Sequence, residues 1–204
     1  MKTLYVLSFL LITNFLTASE GGYKVGDKAA DFSLKNIDGK MVSLSNYPDA
    51  KGFIVIFTCN HCPFAKAYED RIIAIDKKYS KKGYPVIAIN PNDPDLVPDD
   101  SFDAMKKRAS EKGFTFPYLI DQTQEVYREY GATRTPHVFI LEKGNNNLVV
   151  KYIGTIDDNY QDASAVTEKY VENAVDALLA GKNPDPDFTK AIGCSIKDKS
   201  MTNK

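Results

Sequence analysis

Cys59 and Cys62 stand two residues apart, with Asn60 and His61 between them. Thiols at that spacing support two kinds of chemistry: a reversible disulfide between the pair, or half of a metal site. Pro63 follows directly, and a proline suits the first turn of a helix, where its missing N–H costs nothing. A cysteine at that point lies among unpaired backbone N–H groups and at the positive end of the helix dipole. Both favour the thiolate, which is the nucleophile of disulfide exchange. A protonated His61 would lower the thiolate pKa through its charge; the competing reading is a solvated spacer. The third cysteine, Cys194, sits in Ile192-Gly193-Cys194-Ser195-Ile196. It can be read as a free thiol, as a partner for an intermolecular bond, or as a third redox cysteine. A zinc site would need about four ligands, and the chain offers only Cys194, His61 and His137 beyond the pair. The redox reading is preferred, and no metal or cofactor is assigned.

The elements around the pair fit that reading. Phe53–Phe57 is a continuous apolar run, as expected of a strand buried on both faces in the middle of a sheet. After Cys62, Ala65, Tyr68, Ile72, Ile75 and Tyr79 recur at spacings of three and four, which predicts an amphipathic helix. Gly83 is placed to end it, and Lys66 and Glu69 fall on its solvated face. Tyr84–Asn90 reads as the next strand, completing a right-handed βαβ unit. The loop Pro91–Asp100 carries Asp93, Asp95, Asp99 and Asp100; its spacing does not match a calcium loop, and an acidic N-cap for a helix from Phe102 to about Lys112 is expected. Further on, Thr135-Pro136-His137 precedes an antiparallel hairpin, Val138–Glu142 with Leu148–Ile153. His137 is expected to pack at the strand start and Arg134 to be a solvated loop charge. A long helix then lines up Val166, Tyr170, Val171, Ala174, Val175, Leu178 and Leu179. Before the pair, residues 20–31 read as a linker, and Asp31–Leu44 as a hairpin turning at Asp38-Gly39.

The 204 residues are 43% hydrophobic and 26% charged, enough for one domain with a full core. A formal net charge of -1 gives no basis for nucleic acid or an acidic membrane as the main partner. Lys2, an apolar run over Leu4–Leu16 and small residues at Thr17, Ala18 and Ser19 predict a secretory signal peptide over residues 1–19. The domain is expected over residues 20–182, and a Pro- and Lys-rich flexible tail over 183–204.

The order of hairpin, βαβ unit with Cys59-x-x-Cys62, Thr135-Pro136, second hairpin and closing helix resembles the thioredoxin fold, in its redoxin or AhpC/TSA (peroxiredoxin-like) branch. Gly26-Asp27-Lys28-Ala29-Ala30-Asp31-Phe32-Ser33-Leu34 and Asp38-Gly39-Lys40 are similar to peroxiredoxin-like and thiol-reductase members. The resemblance implies an α/β fold with a central mixed sheet flanked by helices and an N-terminal β-hairpin extension. It makes Cys59 the attacking thiol, Cys62 the resolving thiol and Pro136 a cis-proline against the disulfide, with the Thr135 backbone pairing to a substrate peptide. Thr58 stands where thioredoxins have Trp, and Phe53–Phe57 lacks their buried acid, which leaves the proton acceptor unassigned, with His61 one candidate substitute. The implied function is an exported thiol–disulfide oxidoreductase, periplasmic or secreted, acting on protein or small-molecule disulfides. Its further partner would be an electron donor or acceptor redox protein, and its mature form would have no membrane span. The alternatives are a thiol peroxidase in which Cys59 attacks peroxide and a Cu(I)-binding metallochaperone, since thiolates suit that soft ion.

Overall fold

The computed structural model describes residues 21–145 and 147–203; the expected signal peptide lies outside the described residues. Its elements in chain order are β1 (Lys28–Ala29), β2 (Ser33–Asn36), β3 (Met41–Ser43), β4 (Gly52–Phe57), α1 (Pro63–Tyr79), β5 (Val86–Asn90), α2 (Phe102–Lys112), β6 (Tyr118–Ile120), α3 (Glu125–Tyr130), β7 (Arg134–Thr135), β8 (His137–Lys143), β9 (Leu148–Gly154), α4 (Tyr170–Leu179) and β10 (Cys194–Ser195). Among the described residues, eight strands form one mixed sheet in the order β1-β9-β8-β4-β5-β6-β2-β3. The apolar run of β4 lies at its centre, parallel to β5 and antiparallel to β8. This is the thioredoxin-like arrangement, with the β2–β3 hairpin added at one edge.

Alternation along each strand divides the core into two layers. Ile54 and Ile56 of β4 pack with Tyr68, Ile72, Ile75 and Tyr79 of α1, Met105 of α2 and Val171 and Val175 of α4. Phe53, Val55 and Phe57 face the other way, towards Val126, Tyr127 and Tyr130 of α3 and towards Phe32 and Leu34 of the hairpin segment. The stripe predicted on α1 is therefore the face laid on the sheet, and burying each such side chain is worth about 1.5–3 kcal/mol.

Three strand ends meet at one place. β4 and β5 are parallel, so the loops after Phe57 and after Asn90 leave from the same edge of the sheet. β8 is antiparallel to β4 with His137 opposite Phe57, which sets Thr135 and Pro136 beside the residues that follow β4.

Several sequence expectations are corrected. Residues 21–31 are not a bare linker: Lys28 and Ala29 pair with β9. Val166 lies outside α4, which begins at Tyr170, because Asp158 instead binds the Thr167 backbone (3.0 Å) and holds that stretch in a loop. Glu69 is buried, not solvated. Arg108 of α2 donates to its two oxygens from Nε (2.7 Å) and Nη2 (2.6 Å), which pins α2 across α1. Asp100 does not cap α2, whose N-cap position is Ser101. Residues 183–203 take a defined course back over the molecule, anchored by long-range hydrogen bonds that local composition does not reveal. Ile153 donates to Asp187 O and accepts from the Thr189 N–H of this segment, Ile196 enters the core, and Lys197 is bound by Asn92, Asp93 and Gln124.

Candidate active site

The loop after β4 carries Thr58 to Cys62. Thr58 extends the sheet by one bond, its N–H donating to Ile89 O (2.8 Å). Cys62 occupies the N-cap position of α1 with Pro63 in the first turn, as the motif predicts. The shape of the loop is then set by Asp100, whose side chain is fully buried. Its Oδ1 accepts from the backbone N–H of Asn60 (2.6 Å) and of His61 (3.3 Å). Its Oδ2 accepts from Asn92 Nδ2 (2.7 Å) and lies 2.6 Å from His61 Nδ1. The acid absent from β4 is thus supplied by the loop after β5. Asn60 completes the brace, donating to Asp99 O (2.8 Å) and accepting from the Tyr118 hydroxyl (3.0 Å).

The sulfurs lie against that brace. Cys59 Sγ is 3.5 Å from His61 Nδ1 and 3.2 Å from Thr135 Oγ1. Cys62 Sγ–H donates to Thr135 O (3.2 Å). The Thr135–Pro136 bond is cis, as the resemblance implies. Both cysteines are buried, Cys59 at 3% exposure and Cys62 at 0%. The direct interaction of the two sulfurs is the largest influence on both: it pulls Cys62 down and pushes Cys59 up. Burial and the Asp100 charge add to the rise at Cys59, while the N–H of Ala65 in the first turn of α1 helps to lower Cys62. The Thr135 hydroxyl and the Cys62 backbone lower Cys59, and burial raises Cys62, in the opposite sense. The pair therefore titrates as a unit, with its first proton lost easily and its second held tightly.

Cys194 also reaches this cluster. Antiparallel pairing of β10 with β7 sets Cys194 opposite Thr135 and Ser195 opposite Arg134. Cys194 packs on the Cys59–Cys62–Ala65 cluster, opposite the Thr135 whose carbonyl accepts from Cys62. The Thr135 edge, which the resemblance assigns to a substrate peptide, is thus held by the chain's own tail. His137 is not part of the cluster. It is buried, accepts from the Thr133 N–H (3.3 Å), lies against Phe139, and burial alone lowers its pKa to about 4. Arg134 and Lys66 are exposed.

The AhpC/TSA family profile matches residues 25–153, well over half of the chain. The chain belongs to the AhpC/TSA family. It is similar to the thiol-disulfide oxidoreductase ResA of Geobacillus thermodenitrificans, with 30% identity over 153 residues, covering 74% of this chain and 80% of that relative. A solved structure of an uncharacterized conserved protein from Geobacillus kaustophilus aligns with a TM-score of 0.79 and 40% identity, over 86% of this chain and 93% of that one. The thioredoxin domain of a thiol-disulfide oxidoreductase from Bacteroides vulgatus shares the fold alone, with a TM-score of 0.53 and 16% identity over 65% of this chain and 91% of that one. This AhpC/TSA chain is an oxidoreductase of the thioredoxin-like class.

Donor atoms of Cys59, His61 and Asp100 lie within 4.8 Å of one another, the spacing of a metal site. Both Asp100 oxygens are already engaged by N–H donors, and a metal would have to displace them. The donor set fits a proton relay better than a metal centre. Sequence reasoning missed Asp100 and Asn92 here. The only signal was a run of aspartates in the loop after β5, at the sheet edge where the cysteine loop also emerges.

Proposed function

We propose that the site performs thiol–disulfide exchange through Cys59 and Cys62, with His61 and Asp100 managing the proton. The one proton that the pair retains moves onto Cys62, and the Cys59 thiolate attacks a substrate disulfide; the S–S bond breaks, one substrate thiolate leaves and takes up a proton from solvent, and a mixed disulfide remains. Cys62 then gives up its proton and attacks Cys59, expelling the second substrate thiol and leaving Cys59–Cys62 oxidised. The direction is set by the potential of the pair against that of its partner. The single observation behind this reading is the contact of His61 Nδ1 with both Asp100 Oδ2 (2.6 Å) and Cys59 Sγ (3.5 Å), beside a second thiol in the same buried cluster. A proton on that nitrogen, shared between Asp100 and Cys59, gives this sulfur an acid–base partner inside a buried site. The N-terminal sequence supports export to the periplasm or exterior, which cell fractionation with detection of the N-terminus would check.

The deciding experiment is the reduction potential of the Cys59–Cys62 pair, measured with Cys194→Ser as control. A value near about −270 mV assigns a reductant and one near about −120 mV a disulfide donor. Absence of any reversible Cys59–Cys62 disulfide would sink the proposal. Hydrogen peroxide consumption faster than disulfide exchange would move it to a thiol peroxidase, and stoichiometric copper in protein purified under reducing conditions would move it to a metal carrier.

A further inference from the structure

Cys59, Cys62 and Cys194 pack in one cluster, and β10 sets Cys194 opposite Thr135, whose carbonyl accepts from the Cys62 thiol (3.2 Å). The approach of Cys194 is built by the fold. Its segment is clamped on both sides, by the Thr189 N–H on Ile153 O (2.9 Å) before it and by the Lys197 N–H on Asn92 Oδ1 (2.8 Å) after it. Ile196, next but one to Cys194, is buried in the core below α3, and Arg128 of that helix pairs with Asp198 (2.7 Å). Gly193 allows the close fit. A Cβ at that position would lie 2.2 Å from Thr135 O and 2.7 Å from its carbonyl carbon, a collision with backbone. A tail that merely rested on the surface would need neither the glycine nor the paired strand.

We propose that Cys194 is a third redox cysteine, which takes over the disulfide of the buried pair by attacking Cys62. This rests on the exchange reading above. In the oxidised site the Cys194 thiolate attacks Sγ of Cys62. The Cys62–Cys194 bond forms as the Cys59–Cys62 bond breaks, and the electron pair of the broken bond leaves on Cys59. The proton released by Cys194 is balanced by one taken up at Cys59, beside His61. No electrons enter or leave, so no further oxidant is required. The buried disulfide becomes one whose Cys194 sulfur is partly exposed, where a dithiol partner can reach it.

The charges around Cys194 tie this step to the state of the pair. In the reduced site burial and then the Cys62 sulfur push the Cys194 thiol up to about 11, while Lys197 and Arg134 pull it down. Once Cys62 is locked in a disulfide its charge is gone and the two cations remain. Oxidation of the pair thus makes Cys194 a better nucleophile at the moment it has a disulfide to attack.

The test is peptide mapping under non-reducing conditions after equilibration of the full chain in glutathione redox buffer. Wild-type protein is expected to give both Cys59–Cys62 and Cys62–Cys194 linked species, and Cys59→Ser to give Cys62–Cys194 alone. In Gly193→Ala the Cys62–Cys194 species should form about a hundredfold more slowly, because the attacking sulfur is misplaced, while Cys59–Cys62 still forms. A Cys59→Ser protein whose Cys62 and Cys194 stay reduced would overturn the inference and leave the exchange reading intact. If Cys59–Cys62 never forms even in Cys194→Ser, both readings fall together.

Discussion

Asp100 Oδ2 lies 2.6 Å from His61 Nδ1, although 39 residues separate the two in the chain. The contact joins the loop after β5 to the loop after β4, and the other Asp100 oxygen holds the N–H groups of Asn60 and His61. One carboxylate therefore shapes the cysteine loop and orients the imidazole that faces Cys59. The two roles predict different consequences when the charge is removed.

Asp100→Asn keeps an oxygen for the Asn60 and His61 N–H groups but sets an NH2 against the Asn92 amide and removes the anion near Cys59. A stability loss of about 1–3 kcal/mol in urea is expected from the mispaired buried donor. Because the Asp100 charge helps to push Cys59 up, the upper step in the pH dependence of thiol alkylation should move to lower pH. An alkylation profile that superimposes on wild type would remove Asp100 from the proton chemistry.

His61→Ala should act in the other direction on the same profile. It deletes the nitrogen 3.5 Å from Cys59 Sγ, so Cys59 ionises at higher pH. Exchange with a disulfide substrate near neutral pH should slow by about a hundredfold, the lower end of what a positioned acid–base group supplies. An unchanged rate and an unchanged titration would leave His61 as a spacer.

Cys62→Ser should trap the mixed disulfide, since Cys59 can still attack but nothing displaces the product. Cys59→Ser should trap none. Gel shifts after exposure to an oxidised protein substrate distinguish the two, and trapping through Cys62 instead would reverse the assigned order.

Two buried groups away from the cysteines make opposite contributions in acid. Burial lowers His137 from 6.5 to about 4, so its stabilising effect, full above pH 6.5, is lost as pH falls through that window while the unfolded chain takes up a proton. Burial raises Asp121 from 3.8 to about 6, so the folded state takes up the proton first and gains stability as pH falls from 6 towards 4. Each is worth about 3 kcal/mol over its range. Wild-type stability should be nearly flat between pH 4 and 6. His137→Asn should gain stability on acidification across that range and Asp121→Asn should lose it, as read from urea midpoints. Parallel slopes for all three proteins would contradict the assignment.

The apolar run of β4, the stripe of α1 and the Pro63 start of the helix are periodicities of neighbouring residues, and they place Cys59 and Cys62 without reference to the rest of the chain. His137 as a packed strand-start residue followed in the same way from Pro136 and the apolar strand after it. Glu69 was misread because its helical position faces α2, and nothing within α1 announces Arg108.

The sequence by itself determined the βαβ frame, the cysteine pair at its strand–helix junction and the Thr135-Pro136 turn, because strand and helix periods and helix-start chemistry are properties of short segments. Only the tertiary structure decided what surrounds the pair. Parallel β4 and β5 deliver Asp100 to His61, and antiparallel β8 brings Thr135 to both sulfurs. The anchored tail sets Cys194 against Cys62. Those meetings depend on which strand ends share an edge of the sheet, and such an edge collects residues by topology rather than by distance along the chain.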